Sequence, residues 1–542
     1  MEAGSGVPDK RTGKGGAIVS DKKKLLLFSH VCNSRNVTGA EKLLLFSARK
    51  LSAYYDCTIV VPRQGSLSVL ANRYGIRTLL CDNSLLYGMC SPHSGLSGEF
   101  HAIAWSDSVQ RTIGLLQEEQ PDAVLVNTSV NVSPAIAAKQ LGIPVIWQIT
   151  EVIASNEFTA EAVNLIDRYS DLIVGISESA LLPFFGTQAM HKTVLLYPSW
   201  NPEDIHPELW PTQRWHRRAQ WKIKPSEVLV GYISSYLIPE KGADHFIGAA
   251  LNLVHRFPAA KFVIIGAEVQ PEYYRSLKRA VQGSPHSQRF IFVSMENHVE
   301  SAFSAMDIVV VPGILPEGFG LTALEAMIFG KPVVAYASGG LREILESTGS
   351  GAYLVPTGDS VGLAEKCAEL LSSMEMSRSV GERNRAQVEV VFGPAAYELR
   401  LQGLVQRMQG LSGVAVPLPE PAPTAPSPDA AEFRGSGVGA VPIGKAPAGA
   451  ASPSGRRRRV KLKRAKLRKR RSGTGRSLTA RRGGKRRASK NTRRRVARAR
   501  KNHRSRGTGR ARKMNRNRRP AGRRTGTTRK QRVRKRQKST RR

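Results

Sequence analysis

Short apolar runs alternate with helical patterns along most of the chain, and this alternation constrains the possible folds more than any other feature. Strands that are apolar on both faces are typical of parallel sheets covered by helices on both sides. We therefore predict an α/β fold. The predicted strands are residues 25–29, 57–61, 78–80, 123–126, 144–147, 172–174, 194–196, 228–233, 261–265, 290–293, 308–311, 333–336 and 352–355, and the predicted helices include 40–51, 100–119 and 157–169.

The predicted strands fall into two sets, which a Trp- and Pro-rich connector at residues 201–224 separates. Each set suffices for one Rossmann-like domain, and two such domains would face each other across a cleft. We place the first domain at residues 21–205 and the second at residues 206–411. Residues 1–20, which are rich in Gly and Lys, are expected to form a loose N-terminus.

The C-terminal residues 456–542 differ in composition from the rest of the chain. They hold 44 of the 83 Lys and Arg residues and no Asp or Glu, whereas the first 455 residues hold the other 39 basic residues and all 42 acidic ones. They also contain no aromatic and only seven large apolar side chains, too few to form a core. We predict a disordered polybasic tail, joined through an Ala- and Pro-rich linker at residues 412–455. Its expected partner is a polyanion, namely an anionic membrane, a cell-wall polymer or nucleic acid.

Cysteine usage and hydropathy bear on the compartment. The five cysteines are scattered without metal-ligand spacing, which favours idle thiols in a reduced protein over a Cys81–Cys90 disulfide. No apolar run approaches the ~20 residues that a membrane helix needs. The run after the lysines at 22–24 is too short for a signal peptide. We expect a cytoplasmic protein, or one peripheral to the inner face of the membrane.

The strongest functional signal lies in residues 316–332. Gly318 and Gly320 allow a tight loop that comes close to a bound molecule. The residues from Leu321 onward have the apolar spacing of a short helix, which Gly330 would end. Open amides at the start of such a helix form a site for anions such as phosphate.

Two carboxylates bracket this helix start, Glu317 in the loop and Glu325 eight positions later. A carboxylate beside a phosphate site repels the ligand unless it contacts another group, and sugar or ribose hydroxyls are suitable donors. An amphipathic helix with two exposed glutamates would show the same spacing. A nucleotide-activated sugar would use both the anion site and the carboxylates.

The sequence Pro-Glu-Gly-Phe-Gly-Leu, followed by Glu-Ala and Gly-Lys-Pro-Val-Val-Ala, resembles the signature of retaining glycosyltransferases of family four, the glycosyl transferases group 1. The resemblance extends from about residue 25 to residue 409. It implies the GT-B fold, with an acceptor-side first domain, a donor-binding second domain and a last helix at residues 395–408 that crosses back to the first. It also implies a retaining, metal-independent reaction that needs no cofactor, with a nucleotide-diphosphate sugar as the donor.

The same resemblance suggests site residues. Lys241 lies in a segment similar to the family's Pro-Glu-Lys-Gly motif, where an ammonium would neutralise the leaving diphosphate. The loop around Gly39 is similar to a Gly-Gly-Ala-Glu loop that faces the donor. We predict a catalytic role for Glu317, Lys241 and Thr150. The predicted donor-binding residues are Gly39, Ser234, Lys241, Gly318, Phe319, Gly320, Leu321, Thr322 and Glu325, and we predict no metal ligands.

Two positions depart from the family's pattern. Tyr236 stands where an arginine is usual, five residues before Lys241, so one expected phosphate cation is missing; Arg35 or Ser234 would have to compensate. Thr150 stands where a histidine is common. Its hydroxyl can bond sugar oxygens but cannot accept a proton near neutral pH.

Three further features, namely a glycine pair, one glutamate and the histidines, are weaker indications of function. Residues 338–340 resemble the family's glycine pair beside the donor, with Glu343 behind them. Glu178, which follows Ser177, is interpreted as part of a helix cap. The histidines show no mutual spacing for a metal: His30, His101, His245 and His298.

We predict a hexosyltransferase that moves a hexose from a nucleotide-diphosphate sugar to a carbohydrate, lipid-linked or cell-surface polymer acceptor, with retention. The alternative is a polyanion-binding protein whose glycosyltransferase body has lost activity, which Tyr236 and Thr150 motivate. A sugar-nucleotide epimerase of the same fold agrees less well with the glutamate pair.

Overall fold

The computed structural model describes residues 22–34, 36–294, 296 and 299–418. The predicted loose N-terminus and polybasic tail lie outside these residues, as do Arg35, His298 and the linker beyond residue 418. The domain boundaries proposed above stay predictions.

Seven parallel strands form the first sheet. They are β1 (Lys24–Phe28), β2 (Asp56–Val61), β3 (Arg77–Leu80), β4 (Ala123–Asn127), β5 (Val145–Ile149), β6 (Leu172–Gly175) and β7 (Thr193–Leu195). Their spatial order is β3-β2-β1-β4-β5-β6-β7. Strands β4, β5 and β6 are buried along their whole length, because helices cover both faces of the sheet.

Six parallel strands form the second sheet. They are β8 (Val228–Leu237), β9 (Ala260–Glu268), β10 (Phe290–Val293), β11 (Ile308–Val311), β12 (Val333–Tyr336) and β13 (Leu354–Val355). Their order, β10-β9-β8-β11-β12-β13, is that of a dinucleotide-binding fold. In both sheets the strand order reverses beside the first strand, and ligands bind outside the carboxyl ends of the strands at such a point.

Helices pack on both faces of each sheet. Those of the first half are α1 (Gly39–Leu51), α2 (Ser66–Arg73), α3 (Leu96–Ala104), α4 (Asp107–Glu119), α5 (Val132–Gln140), α6 (Thr159–Arg168) and α7 (Glu178–Leu181). Those of the second half are α8 (Trp210–Gln220), α9 (Ala243–Arg256), α10 (Pro271–Gln282), α11 (Val299–Ala305), α12 (Leu321–Ile328), α13 (Gly340–Ser347), α14 (Ser360–Ser372), α15 (Met374–Phe392) and α16 (Pro394–Gln409). The predicted GT-B architecture of two Rossmann-like domains is confirmed.

The helix predicted at residues 100–119 is wrong in one respect, since two helices occupy this region. The first, α3, begins earlier, at Leu96, and ends at Ala104. The second, α4, begins after Ser106, whose extended backbone (φ −78°, ψ 156°) breaks the helical path. Ser and Asp favour this start because both suit a helix N-terminus.

The predicted connector at residues 201–224 contains an ordered helix, α8. Arg214 and Arg218 on this helix donate hydrogen bonds to the two carboxylate oxygens of Asp307, at 2.5 and 3.0 Å. The connector is therefore fixed to the second domain rather than free between the two.

The last helix, α16, packs on the first domain. Tyr397, Leu401 and Leu404 are buried in one apolar cluster with residues of β1 and β2. The rings of Tyr397 and Phe46 lie 4.8 Å apart. After α16 the chain continues along the first domain, where Val416 N donates to Lys139 O at 2.8 Å. The predicted linker is thus held in place over residues 412–418.

The sequence predicts free cysteine thiols and no membrane-spanning helix. All five cysteines are free, so the Cys81–Cys90 pair does not form. Every helix in the described residues is too short or too polar to span a bilayer.

Candidate active site

The starts of α1 and α12 meet in the cleft between the two domains. Each helix follows a strand at the reversal point of its sheet, α1 after β1 and α12 after β11. A Cβ atom placed on Gly39 would lie 3.4 Å from Leu321 Cδ1, so the two helix starts are in direct contact. The positive ends of two helix dipoles consequently converge on one region of the cleft.

Capping leaves the first amides of these helices open. In α1 the Thr38 hydroxyl accepts from Glu41 N, and the Glu41 carboxylate accepts from Thr38 N at 2.8 Å, which forms a capping box. In α12 the first intrahelical bond comes from Ala323 N to Gly320 O at 2.9 Å, so the amides of Leu321 and Thr322 precede the hydrogen-bonded turn. Gly320 has φ +107°, a conformation that favours glycine.

Lys241 and Glu317 form an ion pair at this site. Lys241 Nζ donates to Glu317 Oε1 at 2.6 Å, and the two side chains are 40% and 21% exposed. Lys241 lies in the short turn between β8 and α9, and Glu317 in the loop between β11 and α12. An incoming anion can therefore reach the ammonium, while the carboxylate keeps an oxygen for a hydroxyl donor.

Gly318 holds the two domains close together. A Cβ atom on Gly318 would lie 1.9 Å from the carbonyl oxygen of Thr150 in the first domain, a distance that no side chain tolerates. The Ser177 hydroxyl, also in the first domain, donates to Gly318 O at 2.5 Å. Glycine at this position thus sets how closely the second domain's loop approaches the first.

Replacing Gly318 by alanine should force the loop away from Thr150 and lower the melting temperature. Overpacking of this kind costs about 1–3 kcal/mol, which lowers the melting temperature of a protein of this size by about 1–4 °C. Differential scanning calorimetry measures the effect. Gly403→Ala is the matched control, because a Cβ atom there meets nothing within 4 Å. A Gly318→Ala protein that melts like wild type would contradict the described contact.

Most predicted site residues line a single cavity of about 320 Å³ in the cleft. This cavity is lined by all three residues predicted to be catalytic and by every predicted donor-binding residue except Glu325: Gly39, Thr150, Ser234, Lys241, Glu317, Gly318, Phe319, Gly320, Leu321 and Thr322. The Phe319 side chain is buried against Tyr197 and Phe392, which leaves its backbone for the cavity.

Glu325 lines a second cavity of about 320 Å³. The two cavities adjoin at the helix starts, because they share the lining residues Gly39, Ile233, Ser234, Ser235, Leu321 and Thr322. The structure thus places Glu317 and Glu325 in two adjoining cavities that share the starts of α1 and α12.

Tyr236 contacts the first domain. Its hydroxyl donates to Asn36 Oδ1 at 3.2 Å, across the cleft. Of the two residues proposed to compensate for the missing cation, Ser234 lines the cavity at the helix starts, whereas Arg35 lies outside the described residues. Local sequence patterns could not predict the Tyr236–Asn36 contact, because the two residues are 200 positions apart.

Thr150 is fixed by the neighbouring Glu151. Glu151 Oε2 accepts from Ser129 N, the Ser129 hydroxyl and Thr150 N at 3.0, 3.2 and 3.3 Å. Burial raises the pKa of Glu151, and these hydrogen bonds oppose that shift. The Thr150 hydroxyl oxygen is buried.

The glycine pair orders the loop that carries Glu317, and Glu343 connects the two domains. Gly340 N donates to Glu317 O at 2.9 Å, which fixes the loop carrying Glu317. The Glu343 carboxylate accepts from Glu178 N at 2.8 Å and Ser179 N at 2.7 Å, at the start of α7. Glu178 thus belongs to a helix cap, as predicted, but the second domain supplies part of that cap.

The described histidines do not form a metal site. His245 Nδ1 lies 2.6 Å from the Tyr336 hydroxyl. Among the described residues no group of three or more His, Cys, Asp and Glu side chains could hold a metal ion.

Sequence comparison matches the part of the chain that carries Lys241, Glu317 and Glu325. Residues 213–387 match the family model described as "Glycosyl transferases group 1". The chain is 35% identical over 154 residues to 2-deoxystreptamine N-acetyl-D-glucosaminyltransferase of Streptomyces fradiae, covering 28% of this chain and 35% of that protein. It is 28% identical over 175 residues to N-acetyl-alpha-D-glucosaminyl L-malate synthase of Bacillus anthracis, covering 32% and 44%. The matches thus span less than half the length of these relatives.

Structural comparison extends over both domains. Anabaena Alr3699/HepE in complex with UDP and glucose superposes with a TM-score of 0.59 at 21% identity, covering 72% of this chain and all of that chain. A glycosyltransferase from Rickettsia africae superposes with a TM-score of 0.60 at 16% identity and the same coverage of this chain. At such identities the likeness establishes the fold.

Proposed function

This chain belongs to the group 1 glycosyltransferases through its second domain, and from that premise we propose that it transfers a hexose from a nucleotide-diphosphate sugar with retention of configuration. The acceptor is a carbohydrate, a lipid-linked sugar or a cell-surface polymer. The reaction needs neither a metal nor a cofactor.

One observation carries this proposal: the starts of α1 and α12 meet beside the Lys241–Glu317 pair. Converging helix starts and an ammonium suit a diphosphate. The carboxylates of Glu317 and Glu325 border this region from two adjoining cavities, where they can accept from hydroxyls of the sugar and of the ribose. A nucleotide-diphosphate sugar has its phosphates between the transferred sugar and the ribose, which matches a phosphate site with a carboxylate in each adjoining cavity.

The residues suggest how transfer proceeds. As the glycosidic bond breaks, negative charge grows on the leaving diphosphate, and Lys241 together with the open amides stabilises it there. Thr150 lines the same cavity, and its side chain cannot serve as a base near neutral pH. In the proposed reaction the departing phosphate therefore accepts the acceptor's proton on the same face of the sugar, which retains the configuration.

A panel of nucleotide sugars tests the proposal in thermal-shift measurements on the full chain. UDP-sugars come first, because UDP occupies the Anabaena neighbour, and GDP- and ADP-sugars follow. A ligand present at 100 times its Kd stabilises a protein by about 2.7 kcal/mol. A rise of several degrees with one nucleotide class is expected. No shift with any nucleotide sugar or nucleoside diphosphate would contradict the proposal.

We propose in addition that residues 456–542 tether the enzyme to a polyanion. This proposal rests on composition, namely 44 basic residues without a single acidic one. Without aromatic residues the segment cannot stack on bases, so the binding is expected to follow phosphate charge rather than sequence.

Deleting residues 456–542 should abolish tight, salt-dependent binding to polyanions and leave nucleotide binding unchanged. Fluorescence anisotropy with a labelled DNA duplex measures this, and sedimentation with phosphatidylserine vesicles tests the membrane. For the full chain the affinity should fall at least ~10³-fold between 50 and 200 mM salt, because counterions are released. Equal binding by the deleted chain would exclude the tether.

A further inference from the structure

A lysine of the first domain is paired with Glu325 across the cleft. Lys42 Nζ, on α1, donates to Glu325 Oε1, on α12, at 3.0 Å. The Lys42 side chain is 46% exposed, and exposed ion pairs contribute little to stability. This pair therefore adds little to the cohesion of the two domains, and its ammonium is accessible to another partner.

The position of Lys42 brings it to the anion-binding region. It follows Gly39 by three residues on α1, so both lie on one face of the helix, about 5–6 Å apart. Lys42 lines the second cavity together with Ser234, Thr322 and Glu325. Lys241 lines the first cavity, and the two cavities adjoin at the helix starts. Each cavity therefore has one ammonium group beside the helix starts, Lys241 in the first and Lys42 in the second.

Charge balance calls for a second cation. Among the described residues that line the two cavities, Lys241 and Lys42 are the only lysines or arginines. Lys241 is already paired with Glu317. Tyr236, which stands where an arginine is usual, carries no charge, and its hydroxyl contacts Asn36. A diphosphate carries at least two negative charges, so a single ammonium leaves it under-compensated. Glu325 raises the pKa of Lys42, which keeps this ammonium charged over the physiological range.

We propose that Lys42 is the second cation of the donor site and moves from Glu325 to the donor's diphosphate when the donor binds. Glu325 is thereby released to accept hydrogen bonds from the ribose hydroxyls. The proposal rests on the proposed function, and it makes the donor a bridge between the domains, since Lys42 belongs to the first and Lys241 to the second.

Calorimetric titration of the full chain with UDP and with uridine tests the role of Lys42. Lys42→Met should weaken UDP binding about 10- to 100-fold, which corresponds to the loss of one charge-assisted contact. Uridine, which lacks phosphates, should lose less than about twofold. Lys50→Met is the matched control, because Lys50 lies on the same helix over the Phe46 ring and outside both cavities. If wild type prefers GDP or ADP, that nucleotide and its nucleoside replace the UDP pair.

The outcomes separate this inference from the proposed function. Equal losses for UDP and uridine would overturn it, because Lys42 would then act only by holding Glu325. Unchanged UDP binding in Lys42→Met would overturn it as well while leaving the glycosyltransferase proposal intact. Wild-type protein that binds no nucleoside diphosphate would overturn both. A Lys42→Met/Tyr236→Arg protein that regains UDP affinity would support the role of Lys42 as a substitute cation.

Discussion

Lys241→Met is expected to reduce the rate of sugar transfer about 10²- to 10³-fold, the usual effect of removing one group that stabilises developing negative charge. It should also weaken nucleoside diphosphate binding, because Glu317 loses its partner 2.6 Å away and then repels the donor. Transfer or hydrolysis of the donor, followed by proton NMR, gives the rate, and calorimetric titration gives the affinity.

The control for Lys241 is Lys366→Met. Lys366 is a half-buried lysine on α14, paired with Glu369 at 2.9 Å, and it lines neither cavity. This variant should keep wild-type activity. If Lys241→Met binds the diphosphate as tightly as wild type, Lys241 does not contact the phosphates.

Glu317→Gln should separate binding from transfer. We expect the affinity for the nucleoside diphosphate to stay equal or to rise, because a negative charge beside the phosphates is removed and Lys241 is released. The donor sugar loses a charge-assisted hydrogen bond of about 1.5–3 kcal/mol, so the transfer rate should fall about 10- to 150-fold. Titrations with the nucleoside diphosphate and the nucleotide sugar, together with the transfer assay, measure the three effects.

The double variant Lys241→Met/Glu317→Gln tests whether the two residues act as a pair. It should bind the diphosphate better than Lys241→Met alone, since no unpaired carboxylate remains. A Glu317→Gln protein with a wild-type transfer rate would exclude Glu317 from the sugar site.

The sequence predicted the sheets well for a physical reason. Buried parallel strands such as β4, β5 and β11 are apolar on both faces, so each is visible as a continuous apolar run. The helix break after Ala104 was missed because apolar residues continue on both sides of it. The connector helix α8 was missed because its ordering depends on Arg214 and Arg218 reaching Asp307, a contact 89–93 residues away along the chain.

The candidate site was predicted only in part. Residues on one loop or helix, such as Glu317 and Glu325, could be recognised from local spacing. Lys42 could not, because its partner Glu325 lies 283 residues away. Its place one turn after Gly39, on the helix that was predicted to face the donor, is the one sequence signal that could have identified it.

A crystal structure of the full chain with a bound nucleoside diphosphate would show whether the two helix starts hold the phosphates. We expect phosphate oxygens within about 3 Å of the amides of Leu321 and Thr322 and of Lys241 Nζ, with the ribose beside Glu325. A nucleotide bound elsewhere, or with its phosphates away from both helix starts, would contradict this expectation.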